Sequence, residues 1–202
     1  MARPLNSVIL LVALLAAAFG AASAQVEKSV VVIVNTASSA WPDGTLAELL
    51  VDRIAETNGI LVADSADARR VQDRIGLRFD KQAIVEAGLN NSYRYIVWCE
   101  IESEQVRVEQ GFAFPFLAKQ RRVTARLNLD YRIFDCLRGR TVASERLKFR
   151  RYGPSSMQYL DFTDADPDLY LSYESRKELF DHLETEAAEK VAAEVEDLAR
   201  QR

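Results

Sequence analysis

Histidine and cysteine are scarce in this chain of 202 residues, which contains one histidine and two cysteines. The usual zinc sites and nucleophilic triads need a histidine together with cysteines or with other polar partners. His182 is therefore interpreted as an ordinary helix-surface residue, the alternative being a weak pH sensor. A glycine-rich phosphate loop, a dinucleotide fingerprint and a Gly-x-Ser-x-Gly motif are also missing. We predict no catalytic residue, no cofactor and no metal.

An excess of basic residues is missing as well. The chain has 26 Lys and Arg against 30 Asp and Glu, a formal net charge of −4. Nucleic-acid-binding domains are normally strongly basic, so this balance argues against a nucleic-acid partner. Charged residues make up 28% of the chain and hydrophobic residues 49%, which is typical of a globular domain.

Long hydrophobic runs are limited to one, at residues 8–19. The run follows Arg3 and precedes the small residues Ala22 and Ala24. A membrane-spanning helix needs about 20 apolar residues, whereas a shorter run with small residues behind it is typical of a cleavable secretory leader. We predict a signal peptide over residues 1–24 and a periplasmic or secreted protein. An uncleaved signal anchor is the alternative.

Export bears on the two cysteines and on attachment to a membrane. The leader ends without the cysteine that would carry a lipid, so we expect a soluble mature chain that forms one domain over residues 25–202.

An oxidising compartment permits Cys99 and Cys136 to pair. However, Cys99 lies in an apolar strand-like run and Cys136 at a turn two predicted strands later. We expect buried free thiols, with a disulfide as the alternative.

Strand and helix signals alternate in the first half of the mature chain. The β-branched run at residues 30–34 predicts a central strand that is buried on both faces. Apolar residues at helical spacing predict three helices, and a short strand is predicted between the first two. Their ranges are 45–57, 65–75 and 80–88 for the helices and 60–63 for the strand. This order implies a right-handed crossover and a parallel pair at the sheet centre.

Capping signals give the ends of these helices. Thr45 and Glu48 have the spacing of a capping box, in which each side chain binds a free backbone amide at the helix start. Ser65 and Asp80 are predicted to cap the second and third helices. Gly88 with Asn90-Asn91 is predicted to close the third helix.

From Tyr93 onward the hydrophobic period changes to two, which predicts antiparallel strands. The clearest strand covers residues 121–133, with apolar residues at odd positions and polar residues at even positions. A turn at 135–140 leads into a return strand that ends near Tyr152. Matching faces place Asp130 opposite Arg146 or Lys148, and we expect an exposed ion pair there.

Two further segments complete the chain. Four aspartates crowd residues 161–168, which are predicted to form an irregular loop after Gly153-Pro154. A helix is predicted over 175–200, with a capping box at Ser175 and Glu178 and a solvated acidic face. The complete order, β-α-β-α-α-β-β-β-α, predicts an α/β fold in which helices cover one or both faces of a mixed sheet.

An aromatic hairpin is the first candidate interaction surface. Phe112, Phe114 and Phe116 alternate within residues 110–118, between two predicted antiparallel strands. Hairpin tips normally carry polar turn residues. This tip therefore either folds back onto the core or is a docking surface for a partner or a lipid.

The polar face of the predicted sheet is the second candidate surface. Its basic residues share it with the acidic residues of the neighbouring strand if the alternation holds. The members are Arg122, Arg126, Arg132, Arg146, Lys148, Arg150, Glu100 and Glu102. They form either a cross-strand charge ladder or a basic patch for an anionic envelope partner.

The order of these segments carries a family resemblance. It lies in the strand Val30–Val34, the helix Leu46–Ile54 ahead of Gly59-Ile60-Leu61-Val62, the helix Ala83–Gly88 ahead of Tyr95-Ile96-Val97-Trp98, the alternating strand from Leu127 to Asp135 followed by Gly139, and the long terminal helix. The pattern resembles the periplasmic CsgG-type domain of curli assembly, a group that includes LpoB and the N-terminal domain of TolB. The resemblance implies an anticodon-binding-domain-like α/β sandwich that serves as a non-catalytic assembly or interaction module.

The leading expectation is therefore an exported, non-catalytic interaction module of the bacterial cell envelope. Its partners would be envelope proteins, with peripheral membrane contact through the hairpin at 110–118 as a further option. One alternative is an enzyme or a small-ligand- or calcium-binding protein that uses the acidic loop at 161–168. Another is a homo-oligomeric structural subunit.

Overall fold

Five strands and four helices make up the part of the chain that the computed structural model describes, residues 29–36, 44–57, 59–76, 80–113, 118–159 and 171–200. They are β1 (Ser29–Thr36), α1 (Leu46–Ala55), β2 (Leu61–Val62), α2 (Ser65–Ile75), α3 (Lys81–Asn90), β3 (Tyr95–Ala113), β4 (Ala118–Asp135), β5 (Arg140–Tyr159) and α4 (Tyr173–Arg200). The predicted signal peptide and the acidic loop at 161–168 lie outside the described residues.

The strands form one mixed sheet in the order β2-β1-β3-β4-β5. β1 runs parallel to both of its neighbours, and β3, β4 and β5 are antiparallel. The predicted α/β fold and element order are confirmed. β2 is shorter than expected and lies at the edge, where Leu61 and Val62 pair with Ser29 and Val30.

Helices pack on both faces of the sheet. α1 and α4 cover one face, here called the α1/α4 face, where the odd-numbered residues of β4 from Val123 to Ile133 are buried as predicted. α2 and α3 cover one end of the opposite face, the α2/α3 face, around Trp98 and Phe134. Thr124 is an exception among the even positions of β4, because it is fully buried.

The two cysteines lie on opposite sides of the sheet. Cys99 belongs to the cluster of the α1/α4 face and Cys136 to the cluster of the α2/α3 face. Both are buried free thiols, so the disulfide alternative is wrong. Burial raises the pKa of each thiol to about 12.

α3 ends at Asn90 with Asn91 as its C-cap, as predicted, but Gly88 lies inside the helix. Gly88 faces the sheet. A Cβ at this position would lie 2.3 Å from Sγ of Cys136 and 3.2 Å from Cδ1 of Ile96. The glycine is therefore needed for close packing of helix against sheet.

Three irregularities interrupt the regular strand register. One bulge between Ile101 and Ser103 reverses the alternation of β3, so Glu104 points into the α1/α4 face and is 2% exposed. A second lies at Val142, where Ile133 pairs with Ala143 and Phe134 with Thr141. Such bulges insert a residue that has no partner across the ladder.

The third irregularity explains why β5 is longer than predicted. The sequence predicts that this strand ends near Tyr152, but it continues to Tyr159. Gly153 and Pro154 fall where the register shifts opposite Val123. Proline has no backbone N–H and is tolerated at a bulge on an edge strand, so the strand passes through it.

The helix starts differ partly from the predicted caps. Asp80 caps α3 as predicted, because its Oδ1 accepts from the backbone N–H of Gln82 at 2.9 Å. Asp64 rather than Ser65 caps α2. The terminal helix begins at Tyr173, and the hydroxyl of Ser172 accepts from the N–H of Ser175 at 3.1 Å. The capping box predicted at Ser175 is thus one turn too late.

Candidate functional site

The candidate site is the part of the α2/α3 face that no described helix covers. α2 and α3 pack on the sheet as far as Trp98. Beyond that row, β3, β4 and β5 present a polar surface, which we call the open patch. Its residues are Glu100, Glu102, Ser103, Gln105, Arg107 and Glu109 of β3, Arg122, Arg126, Asn128 and Asp130 of β4, and Arg146, Lys148, Arg150 and Tyr152 of β5. Thr124 lies on the same face of β4 but is fully buried.

The strand register arranges the open patch in rows across the sheet. Glu100, Asp130 and Arg146 form one row, because Asp130 is the register partner of both. After the bulge at Glu102, Gln105, Arg126 and Arg150 form a row of the same kind. The alternation of β4 therefore brings together the predicted site residues Arg122, Arg126, Arg146 and Lys148 on one surface.

Glu109 is the electrostatic centre of one end of the open patch. Its Oε1 accepts a hydrogen bond from Arg126 at 2.8 Å, and its Oε2 contacts the guanidinium of Arg150. The hydrogen bond from Arg126, together with the charge of Arg150, lowers the pKa of this carboxyl. Three strands are thus joined by one carboxylate and two guanidinium groups.

The predicted ion pair of Asp130 forms with a different partner. Asp130 lies opposite Arg146 in the register, as predicted. However, the carboxylate meets Arg132 at 2.8 Å, and Arg146 reaches Glu102 at 2.5 Å. Glu102 lies on the polar face together with Glu100, as the sequence predicts, and it is Glu102 rather than Asp130 that pairs with Arg146.

Three cations of the open patch have no described carboxylate within ion-pairing distance. Lys148 and Arg122 are exposed, and Arg107 binds the neutral side chain of Gln105 at 2.7 Å. Arg122 also lies over the ring of Tyr152, with 5.0 Å between its Cζ and the ring centroid. The open patch therefore contains cross-strand ion pairs, as in a charge ladder, and also basic residues without a described acidic partner, as in a basic patch.

The charge of the open patch is opposite in sign to that of the chain. Six of its side chains are basic (Arg107, Arg122, Arg126, Arg146, Lys148 and Arg150) and four are acidic (Glu100, Glu102, Glu109 and Asp130). The whole chain carries −4. An uncovered basic surface on an acidic chain favours contact with an anionic partner.

The aromatic hairpin is only partly described. β3 and β4 pair as far as Ala113 and Ala118, and Phe112 is the register partner of Lys119. The connection between two antiparallel strands is thus confirmed. Phe114, Phe116 and the side chains of 110–121 lie outside the described residues, so folding back onto the core and exposure both stay predicted alternatives.

A buried carboxylate that sequence reasoning missed joins the two helices of the α1/α4 face. Glu184 of α4 is fully buried, and its Oε2 accepts from the backbone N–H of Thr45 at 2.7 Å and from the Thr45 hydroxyl at 2.8 Å. The predicted capping box with Glu48 is wrong, since Thr45 forms no side-chain cap of its own helix. A carboxylate at a helix N-terminus also interacts favourably with the helix dipole.

The space around Glu184 explains the glycine that precedes α1. A Cβ on Gly44 would lie 3.0 Å from Oε1 of Glu184. Local sequence carries no signal for this contact, because the two partners are 139 residues apart. Glu184 lies on the apolar stripe of α4, whereas Glu178, Glu186 and Glu189 on the opposite face are exposed, as predicted.

Other candidate chemistry was sought among the described residues. His182 is exposed on α4, as expected for a helix-surface residue. No three histidine, cysteine or acidic side chains converge as a metal site within the described ranges. None of the described helices combines the length and apolarity needed to cross a membrane.

No protein-family profile and no curated protein matches the chain. Among solved structures, the hypothetical protein CT253 from Chlamydia trachomatis is 15% identical over 86% of this chain and 99% of its own, with a TM-score of 0.45. The LpoB C-terminal domain from Salmonella enterica is 11% identical over 61% of this chain and 82% of that domain, with a TM-score of 0.38. A minor lipoprotein from Acinetobacter baumannii is 13% identical over 85% of this chain and 92% of that chain, with a TM-score of 0.39.

Proposed function

We propose that the chain is an exported, non-catalytic binding module of the cell envelope that holds an acidic envelope protein on the open patch. The observation that carries the proposal is the basic surplus of this uncovered surface on an acidic chain. Export is proposed from the leader at residues 1–24. An assembly role of the CsgG type, expected from the sequence pattern, belongs to the same proposal.

The geometry suits binding in two ways. The open patch lies on paired strands of a continuous sheet, so its side chains are held at fixed spacings of about 5 Å between strands. Arg107, Arg122 and Lys148 keep their charge available, because no described carboxylate neutralises them. Charges of one sign on such a surface steer an oppositely charged partner and speed its association.

The test compares two triple variants with equal changes in net charge. The patch variant carries Arg107→Gln, Arg122→Gln and Lys148→Gln. The control variant carries Arg69→Gln, Arg74→Gln and Lys81→Gln, which replace exposed basic residues on α2 and α3. Poly-L-glutamate is the acidic probe, and vesicles with an anionic lipid are a second probe.

We expect wild type to bind poly-L-glutamate with an affinity that falls as salt is added. Three lost contacts of about 0.5 kcal/mol each correspond to about tenfold in Kd for the patch variant. The control variant should stay within about twofold of wild type, because its charges lie away from the patch. Equal losses in both variants, or binding to vesicles alone, would contradict the proposal.

A further inference from the structure

We infer that the acidic partner is an extended protein segment that joins the sheet as a sixth strand beside β5. The inference rests on the proposed function and adds the partner's conformation and its sequence pattern. Its basis is the position of β5 in the sheet, the length of its regular stretch, and the alternation of its side chains.

β5 is the last strand of the sheet, and no described strand pairs with its outer edge. From Ala143 to Tyr152 it stays in unbroken register with β4. The irregularities at Val142 and at Gly153-Pro154 mark the two ends of this stretch. An edge strand presents backbone N–H and C=O groups that another strand can bind, and a typical strand has about 5 or 6 residues. The stretch is long enough for a complete added strand.

The side chains of β5 oppose pairing with a second copy of the chain. Arg146, Lys148 and Arg150 alternate on the α2/α3 face. In an antiparallel pair of two copies centred anywhere from residue 147 to 149, a basic side chain of one copy faces a basic side chain of the other. Directly opposed like charges are destabilising. This edge therefore rejects its own copy and accepts an acidic segment.

The two faces of β5 specify an alternating partner sequence. On the α2/α3 face, the Arg146 and Arg150 side chains are 58% and 42% exposed, so each keeps N–H groups directed to solvent beside its existing ion pair. On the α1/α4 face, Leu147 is buried and Phe149 is partly buried at the edge of the core. Glu145 and Arg151 flank these two residues on the same face and are exposed. The segment that fits has acidic residues at every second position and apolar residues beside Leu147 and Phe149.

The experiment uses the chain with a synthetic peptide in which glutamate and valine alternate over eight or so residues, a length comparable with an edge strand. A control peptide has the same composition, with the glutamates contiguous. Amide hydrogen exchange of β5 is measured by NMR with and without saturating peptide. Addition of a strand should slow exchange at alternate residues between Ala143 and Tyr152 by about tenfold or more, because every second N–H gains a partner.

A charge exchange tests the register independently. Lys148→Glu should weaken binding of the alternating peptide, and a peptide in which one glutamate is lysine should restore it. Arg69→Glu, on the outer surface of α2, should leave binding unchanged. Far-UV circular dichroism confirms that both variants are folded.

The outcomes separate the inference from the proposed function. If the peptide binds the open patch but alternate amides of β5 exchange as fast as before, the added strand is refuted and the proposed function stands. Equal binding of the two peptides also overturns the added strand. If neither the peptides nor poly-L-glutamate binds, both the inference and the proposed function fail.

Discussion

Replacing Gly88 by alanine is predicted to destabilise the fold, although the same change in an ordinary helix is stabilising. Alanine is favoured over glycine in a helix interior by about 0.5 to 1 kcal/mol. Here the new Cβ would lie 2.3 Å from Sγ of Cys136, and both residues are buried in the cluster under α3. Inserting a methyl group into a filled core costs about 1 to 3 kcal/mol. A net loss of stability in Gly88→Ala would therefore show that the contact with Cys136 outweighs the helix preference for alanine.

We expect Gly88→Ala to lower the free energy of unfolding by about 1 to 2 kcal/mol, measured by urea unfolding with far-UV circular dichroism. For a domain of this size, each kcal/mol corresponds to about 2 to 4 °C in Tm. The unfolding transition can be followed in parallel through Trp98, which is buried in the same cluster.

A double-mutant cycle with Cys136→Ala identifies the cause of the loss. This second substitution removes the sulfur atom but keeps the Cβ of residue 136 at 3.1 Å and Cδ1 of Ile96 at 3.2 Å, so Gly88→Ala in that background should cost clearly less than with Cys136 in place. The coupling between the two sites should reach about 1 kcal/mol or more, as residues in direct contact show. A Gly88→Ala variant that is as stable as wild type, or more stable, with Cys136 in place would refute the reasoning.

Three further predictions concern buried polar and ionisable groups. Glu184→Ala should lower the free energy of unfolding by about 2 to 4 kcal/mol in urea, because it empties the fully buried space of the carboxylate and leaves the half-buried donors of Thr45 without their acceptor. At pH 8 or so, Cys99 should resist a thiol reagent until the protein unfolds and Cys136 until α2 and α3 detach, because burial raises the pKa of both thiols to about 12. Burial and the hydrogen bond to a neighbouring carboxylate raise the pKa of Tyr93 from 10.0 to about 12, so its contribution to stability is complete below pH 10 and is lost as the pH rises through about 12.

Matched variants check these predictions. Glu184→Gln keeps an acceptor oxygen and should lose less stability than Glu184→Ala. Fast labelling of either thiol in the native protein would show that the sheet does not bury it. For Tyr93→Phe, the loss of stability above pH 10 should be shallower than in wild type, since phenylalanine binds no proton in either state. An unchanged alkaline profile would contradict the assignment to Tyr93.

The sequence predicted the element types well, because local periodicity reports which face of each element is buried. The odd positions of β4 illustrate this, since one face packs under α4 and the other does not. β1 was likewise recognisable as a strand buried on both sides. Predicted ends were less accurate: Ser172 and Asp64 act as caps near, but not at, the expected residues.

Features that depend on distant contacts could not be predicted. Gly88 has the local pattern of a helix end, and only the approach of Cys136 shows why a side chain is excluded. Glu184 has the spacing of the apolar stripe, four residues after Phe180 and three before Ala187, and only the start of α1 beside it shows why a carboxylate is buried there. The open patch was half predicted, because its basic residues follow the alternation of β4 and β5 whereas the bulge at Glu102 breaks that of β3.

The two-sided sheet also has a consequence for the order in which the protein opens. The described core of the α1/α4 face contains 26 buried side chains, whereas that of the α2/α3 face contains 11. The backbone of β1 and of the first residues of β3 separates the two cores. The smaller core can therefore open while the larger one stays packed. Regions with fewer buried apolar contacts open at lower free energy. α2 and α3 should therefore detach first, as a unit, and expose Trp98 while the long helix remains in place.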